Sequence, residues 1–169
     1  LFNYPDLYDR LIVLNGWSKT YAMTGWRLGW GVWPEQLIEH VFKFCVNNHS
    51  CVNTAAQYGA IAALDGPEDH LSNMMKEFTV RRKLIVDGLR SLKGVKCSLP
   101  GGTFFAFPNV RDTGMNGEDF TKKCLQEAGV AVIPGKAFGK FAIDNVRFNF
   151  ATSRENISKA IEKIDKILK

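Results

Sequence analysis

Apolar residues recur along the chain in short runs and in helical stripes, and polar or turn-forming residues separate them. The runs at 10–14 and 28–33 have the length of buried strands, and a turn residue or a proline follows each of them. Apolar positions then return every three or four residues over 35–45 and over 53–64, which predicts two helices. The first part of the chain is therefore expected to contain two strands and two helices.

The longest apolar stripe covers residues 71–92, about twice the usual helix length of roughly 11–12 residues. A helix of this length is typical of a connection between two domains. Two short runs with strand character follow, at 95–99 and 103–107, and Pro100-Gly101-Gly102 lies between them. This arrangement predicts a β-hairpin.

The rest of the chain alternates in the same way. Further strands are predicted at 130–133 and 145–151, and further helices at 119–127 and 157–168. The segment Thr152-Ser153-Arg154-Glu155 has the T-x-x-E pattern of a capping box and predicts the start of the last helix.

This succession predicts an α/β fold in two parts. Residues 67–169 have enough strands and helices for a small α/β domain that begins with the long interdomain helix. Residues 1–66 cannot bury the faces of their own elements, so we interpret them as the tail of a larger domain. The chain begins at Leu1 without a basic segment or a long apolar stretch, so we expect a fragment of a longer protein rather than a chain with a signal peptide.

Composition excludes several classes of protein. With 46% hydrophobic residues, the 169-residue chain is not disordered, and its apolar runs are far shorter than the roughly 20 residues of a membrane span. The net charge of +5 comes from cations interleaved with acids, which favours a solvated surface over a nucleic-acid site. The four cysteines have no metal-ligand spacing with the histidines, so we expect reduced, mostly buried thiols of an intracellular, cytoplasmic protein without a metal.

Candidate chemistry is concentrated in the segment 17–30. Ser18 and Lys19 follow a predicted strand and turn, and Arg27 lies eight residues after Lys19. A lysine that bonds to an aldehyde needs a cationic or desolvated site that keeps its amine partly neutral. A hydroxyl and a guanidinium can together bind a phosphate dianion. Each residue alone is typical of a protein surface, but the combination suits pyridoxal phosphate, with its aldehyde at Lys19.

The segment resembles the signature of the class I and II aminotransferases, the aspartate aminotransferase fold or fold type I. The signature reads Ser-Lys-x-x-x-x-Thr-Gly-x-Arg-x-Gly, and it is matched by Ser18, Lys19, Thr24, Gly25, Arg27 and Gly29. The resemblance implies that Lys19 is the catalytic lysine and proton carrier. It also implies that Ser18, Lys19 and Arg27 bind pyridoxal 5'-phosphate.

Three downstream segments add to the resemblance. Residues 100–105 resemble the family's Pro-x-Gly-Ala-Phe-Tyr hairpin, although Thr103 and Phe105 depart from it, and residues 132–139 resemble its Pro-Gly-x-x-Phe-Gly loop. Residues 146–151 resemble the strand whose arginine binds the substrate α-carboxylate, which implies that role for Arg147. Strand alternation places Arg147 on the face opposite the apolar residues of this strand.

The resemblance covers the whole chain but only the C-terminal part of the family's length, so the expected parent is an enzyme about twice as long. It implies a cytoplasmic homodimer that transfers an amino group from an L-amino acid, with aspartate as one candidate, to a 2-oxo acid such as 2-oxoglutarate. The residues that stack on the cofactor ring and contact its nitrogen are absent here. Asp6 and Tyr8 lie too close to the lysine to replace them, so the chain alone is expected to be inactive.

Three other interpretations of the function remain open at this point. A pyridoxal-phosphate-dependent β-lyase or synthase would share the fold and the lysine. A non-catalytic folding or dimerisation module fits the shortness of the chain. Nucleic-acid binding has only the positive net charge in its favour.

Overall fold

The computed structural model describes residues 3–169, which form two units, each described here by itself. The first unit extends to Leu71, and the second comprises Ser72–Lys169. Both units contain strands and helices, which confirms the predicted α/β class. Among the helices formed by residues 3–169, none combines the length and the apolar character that crossing a bilayer requires.

A two-stranded antiparallel sheet organises the first unit. Strands β1 (Val13–Gly16) and β2 (Gly29–Val32) pair with Gly16 opposite Gly29. The strand predicted at 28–33 is thus confirmed to within one residue at each end. The strand predicted from residue 10 begins later, because the amide of Arg10 donates to the Leu7 carbonyl (3.0 Å) and holds this residue in a turn.

Three helices complete the first unit: α1 (Trp17–Thr20), α2 (Glu35–His49) and α3 (Thr54–Asp65). The predicted cap of α3 is confirmed, since the Asn53 side chain accepts a hydrogen bond from the Ala56 amide (2.9 Å). The buried core of this unit is small and consists of Met23, Leu28, Ala56 and Ala60. No side chain of α2 is buried, and Phe42 and Phe44 are exposed. The first unit therefore leaves much of its apolar surface open to solvent.

A three-stranded antiparallel sheet organises the second unit, and its central strand is β5. Phe105 pairs with Asn149 on one side of β5, and Ile133 pairs with Arg147 on the other. The elements are α4 (Asp69–Ser91, which begins at the end of the first unit), β3 (Phe105–Ala106), α5 (Gly117–Ala128), β4 (Ile133–Pro134), β5 (Val146–Asn149) and α6 (Arg154–Ile167).

One large core joins α4, α5 and α6 to the sheet, and its fully buried side chains include Leu89, Phe120, Phe150 and Ile164. Burial alternates along β5, because Val146 and Phe148 are buried while Arg147 is half-buried and Asn149 exposed. The predicted alternation of this strand is confirmed. It fixes Arg147 on the face of β5 that points away from the core.

The hairpin predicted from 95–99 and 103–107 is wrong. Lys96 pairs instead with Asn109, through backbone hydrogen bonds of 2.9 and 2.7 Å. The Cys97 carbonyl accepts from Arg90 Nε (2.7 Å), and a second arginine of α4 donates to the Pro100 carbonyl (3.2 Å). Side chains of α4 therefore take the acceptors that a strand ladder would need.

Two further boundaries differ from the predictions. The strand expected at 130–133 shortens to Ile133–Pro134, because the Val130 amide donates to the Cys124 carbonyl (2.9 Å) and closes the end of α5. The capping box at the start of α6 is also wrong. Ser153, and not Thr152, accepts from the Asn156 amide (3.1 Å) and caps the helix.

The four cysteines are free, as predicted, but they differ in burial. Cys51 is exposed and Cys45 half-buried in the first unit, whereas Cys97 and Cys124 are buried in the second. Burial raises the pKa of both buried thiols, that of Cys124 to about 12. These two thiols are therefore protonated at neutral pH.

A carboxylate on α4 links this helix to α6. Glu77 accepts hydrogen bonds from Arg154 Nε of α6 (3.1 Å) and from Arg81 Nε one turn along α4 (2.7 Å). These arginines, Arg154 first, lower the pKa of Glu77 from 4.5 to about 2. Because the pKa is depressed by folding, the link stabilises the protein fully above pH 4.5 and is lost as the pH falls towards 2.

We expect the difference in unfolding free energy between wild type and Glu77→Gln to be largest at neutral pH and to shrink as the pH falls below about 4.5. Urea denaturation at a series of pH values measures this difference. The matched control is Glu162→Gln, which removes a carboxylate that pairs with Lys166 on its own helix and not with a second helix among residues 3–169. An equal loss in both variants at every pH would contradict a special role of Glu77.

Candidate active site

Ser18 and Lys19 lie on α1, which begins directly after β1. Directly beyond the two strands, the Trp17 amide donates to the Leu28 carbonyl (3.4 Å) and extends the ladder by a last hydrogen bond. Ser18 is the residue after Trp17 and is half-buried. Lys19 follows Ser18 and is exposed. Both predicted site residues are thus held at the end of the β1–β2 ladder.

Arg27 approaches the same end of the ladder from the other strand. It precedes Leu28, so Ser18 and Arg27 each lie one residue beyond the last hydrogen bond between the strands. The exposed guanidinium donates from Nη1 to the Thr24 carbonyl (3.0 Å), and its other N–H groups have no hydrogen-bond partner among residues 3–169. The backbones of Ser18, Lys19 and Arg27, the three residues predicted for the cofactor, therefore lie at the same end of the ladder.

The backbone between these residues is folded tightly and is strained. Ala22 and Arg27 both adopt left-handed conformations, with φ values of 53° and 54°. Such a conformation costs a residue other than glycine about 1–2 kcal/mol. Strained residues of this kind concentrate at functional sites, where function requires a backbone geometry that lowers stability.

Packing beneath the turn holds it in place. Trp17 and Tyr21 pack against the small core of the first unit, which contains Met23 and Leu28. The Tyr21 amide donates to the Trp17 carbonyl (3.2 Å), and the Met23 amide shares that acceptor (3.4 Å). Aromatic side chains on both sides of Ser18 and Lys19 thus anchor the turn while the two functional side chains remain accessible.

Arg147 of the second unit lies in an aromatic environment. Its guanidinium carbon is 4.3 Å from the centre of the Phe105 ring and 4.8 Å from that of Phe138. Phe105 belongs to the neighbouring strand β3, and Phe138 ends the 3-10 turn Gly135–Phe138 after β4. Both distances are within the range of cation–π contacts.

The hydrogen-bonding groups of Arg147 distinguish it from the other arginines of its unit. The other five each donate to a carbonyl or a carboxylate: Arg81, Arg82, Arg90, Arg111 and Arg154. Within the described residues, the guanidinium of Arg147 has neither a hydrogen bond nor an ion pair. A half-buried cation with unused donors is suited to an anionic ligand, and a planar carboxylate matches its fork.

The sequence indicated Arg147 as a site residue, but it did not indicate the two rings that flank it. Both rings lie in segments that carried the resemblance, Phe105 in 100–105 and Phe138 in 132–139. Their motif positions were the available signal, but neither pattern indicates contact with an arginine. Among residues 3–169, no three acidic, histidine or cysteine side chains cluster in a way that could hold a metal ion.

Comparison with protein families gives a match over nearly the whole chain. The family model described as aminotransferase class I and II matches residues 3–164. An aspartate aminotransferase of Pyrococcus abyssi is 40% identical over 165 residues, which cover 96% of this chain and 42% of that protein. An aromatic-amino-acid aminotransferase of Thermococcus litoralis is 37% identical over the same shares of the two chains.

Solved structures agree with the sequence relatives. An aromatic aminotransferase from Pyrococcus horikoshii superimposes with a TM-score of 0.94 at 40% identity, over 98% of this chain and 44% of that one. An aspartate aminotransferase from Rhizobium meliloti gives a TM-score of 0.92 at 34% identity. The chain spans about 42% of the length of the curated relatives it matches.

Proposed function

Because the chain belongs to the class I and II aminotransferases, we propose that the protein containing it is a pyridoxal-phosphate-dependent aminotransferase. It transfers an amino group from an L-amino acid to a 2-oxo acid such as 2-oxoglutarate. Aspartate is one candidate donor, and the Pyrococcus abyssi relative is named for that amino acid. We place the protein in the cytoplasm as a homodimer.

The observation that carries this proposal is the placement of Ser18, Lys19 and Arg27 at one end of the β1–β2 ladder. A hydroxyl and a guanidinium with unused N–H groups suit a phosphate dianion, and the amine between them along the chain suits an aldehyde. The chemistry of the donor set therefore fits pyridoxal 5'-phosphate.

Each of the four candidate residues then has a defined role. Ser18 and Arg27 would bind the phosphate of the cofactor, and the amine of Lys19 would hold its aldehyde. Lys19 Nζ would act as the base that removes the proton from the substrate Cα and then, as an ammonium, as the acid that delivers that proton. Arg147 binds the α-carboxylate of the amino acid and of the 2-oxo acid. Pyridoxal phosphate, when bound, supplies the electron sink that makes the Cα proton acidic.

The test is a labelling experiment on the full-length protein. Borohydride reduction of the cofactor-loaded protein should fix the cofactor covalently to a single peptide, and that peptide should contain Lys19. Mass spectrometry of a digest locates the label. The lysines of α2 and α4 serve as internal controls, since they are as exposed as Lys19. A label on another lysine, or on none, would overturn the assignment.

A further inference from the structure

Arg147 is the cation in a chain of aromatic contacts that starts in the core of the second unit. The fully buried ring of Phe150 contacts Phe78 edge-on at 6.2 Å, and Phe78 contacts Phe104 at the same distance. Phe104 lies 4.5 Å from Phe105, the first of the two rings that contact Arg147. The position of Phe105 is therefore set by the packing of the core.

The second ring is held from another direction. Phe138 contacts Phe107 at 5.8 Å with the ring planes nearly perpendicular, and Phe107 follows β3 directly. The guanidinium of Arg147 thus lies near two rings, each of which contacts a further phenylalanine of the segment 104–107. The two rings therefore orient the guanidinium, since no protein carboxylate among residues 3–169 pairs with it.

Aromatic rings hold a guanidinium without using its hydrogen-bond donors. The ring quadrupole attracts the cation, but it takes up none of the N–H groups along the planar edge. A carboxylate partner would hold the guanidinium as well, but it would occupy the fork that the substrate needs. Two rings therefore restrict the motion of Arg147 and keep its donors available.

We propose that Phe105 and Phe138 are positioning residues, which clamp Arg147 and present its fork to the carboxylate shared by the amino acid and the 2-oxo acid. This inference rests on the proposed function, since it concerns the same carboxylate. It adds that substrate affinity depends on ring contacts made by residues that do not touch the substrate's reacting atoms. A clamp of this kind lowers the cost of ordering the arginine when substrate binds.

The first arm of the test examines the clamp without catalysis. In the full-length protein labelled with ¹⁵N, the side-chain Nε–H signal of Arg147 should be displaced from the other arginine signals by the currents of the two rings. The displacement should diminish in Phe105→Leu and in Phe138→Leu, and Phe105→Tyr should keep it. An undisplaced signal in the wild-type chain would overturn the clamp, whatever the activity of the protein.

The second arm measures the kinetics of the full-length protein with the same variants. Each leucine variant should raise KM for the amino acid and for the 2-oxo acid by about 3- to 10-fold, the loss of one cation–π contact, with kcat nearly unchanged. Reaction of a primary amine without a carboxylate should be unaffected. The matched control is Phe141→Leu, in the same loop, because Phe141 is 92% exposed and its ring lies near the Lys140 ammonium, away from Arg147.

The outcomes separate the two proposals. If Arg147→Ala raises KM and the leucine variants do not, the clamp is wrong and the role of Arg147 stands. If Arg147→Ala also leaves KM unchanged, the carboxylate role in the proposed function is wrong. If the leucine variants slow the carboxylate-free amine as much as the amino acid, or if Phe105→Tyr behaves like Phe105→Leu, the rings have a merely structural role and the inference is overturned.

Discussion

Replacing Lys19 by alanine in the full-length protein is expected to lower kcat for transamination by about 10⁴-fold or more. A positioned general acid or base contributes about 10²- to 10⁴-fold, and Lys19 is proposed to act in both directions of proton transfer. The fold should tolerate the change, because Lys19 is exposed and α1 has no buried side chain. The loss should therefore be chemical and not structural.

Steady-state kinetics with an amino acid and a 2-oxo acid measures this loss, and circular dichroism checks the fold of the variant. Lys43→Ala is the matched control, since Lys43 is an exposed lysine of the same unit that pairs with Glu39 on its own helix. This control should retain full activity. A Lys19→Ala variant with more than about a tenth of the wild-type kcat would be incompatible with the proton-transfer role.

Replacing Arg147 by alanine is expected to raise KM for every α-amino acid and 2-oxo acid by about 100-fold or more. A hydrogen bond to a charged group contributes about 1.5–3 kcal/mol, and the fork of Arg147 can make two of them to one carboxylate. Each 1.4 kcal/mol corresponds to about a tenfold change in binding. Arg147→Lys should recover little, because an ammonium offers a point charge in place of a planar fork.

The measurement is KM for several substrates of different side chain, because loss of an α-carboxylate contact affects them all alike. Arg111→Ala provides the control. Arg111 also belongs to the second unit, but its guanidinium already pairs with Asp144 (Nε–Oδ2 2.7 Å), so its removal should leave KM unchanged. Near-normal KM in Arg147→Lys would show that Arg147 does not bind the carboxylate through its fork.

The long helices were predictable because their signals are local, whereas the four-residue helix α1 was not predicted. In α3 the apolar spacing and the Asn53 cap lie within a few residues of each other, and both appear in the structure. The segment 95–99 failed for the opposite reason. Carbonyls in and next to this segment accept hydrogen bonds from arginines of α4. Strand propensity reflects neighbouring residues along the chain and cannot predict a contact with a side chain of a preceding helix.

The candidate site follows the same division between local and distant contacts. Ser18, Lys19 and Arg27 were found from their spacing within a single turn of the chain, and the structure places them at the end of one ladder. The contacts of Arg147 with Phe105 and Phe138 join three different elements of the second unit. No pattern along the sequence could reveal that two rings lie on one guanidinium.

Because the four cysteines differ in burial, their reaction rates report on unfolding of the second unit. An alkylating reagent reaches Cys51 directly, but it reaches Cys97 and Cys124 only while the second unit is open, since both are buried and protonated. The number of alkylated thiols, counted by intact mass over time, therefore separates surface reaction from unfolding of the core. Alkylation rates of these two native cysteines can rank variants of the second unit by stability without any engineered label.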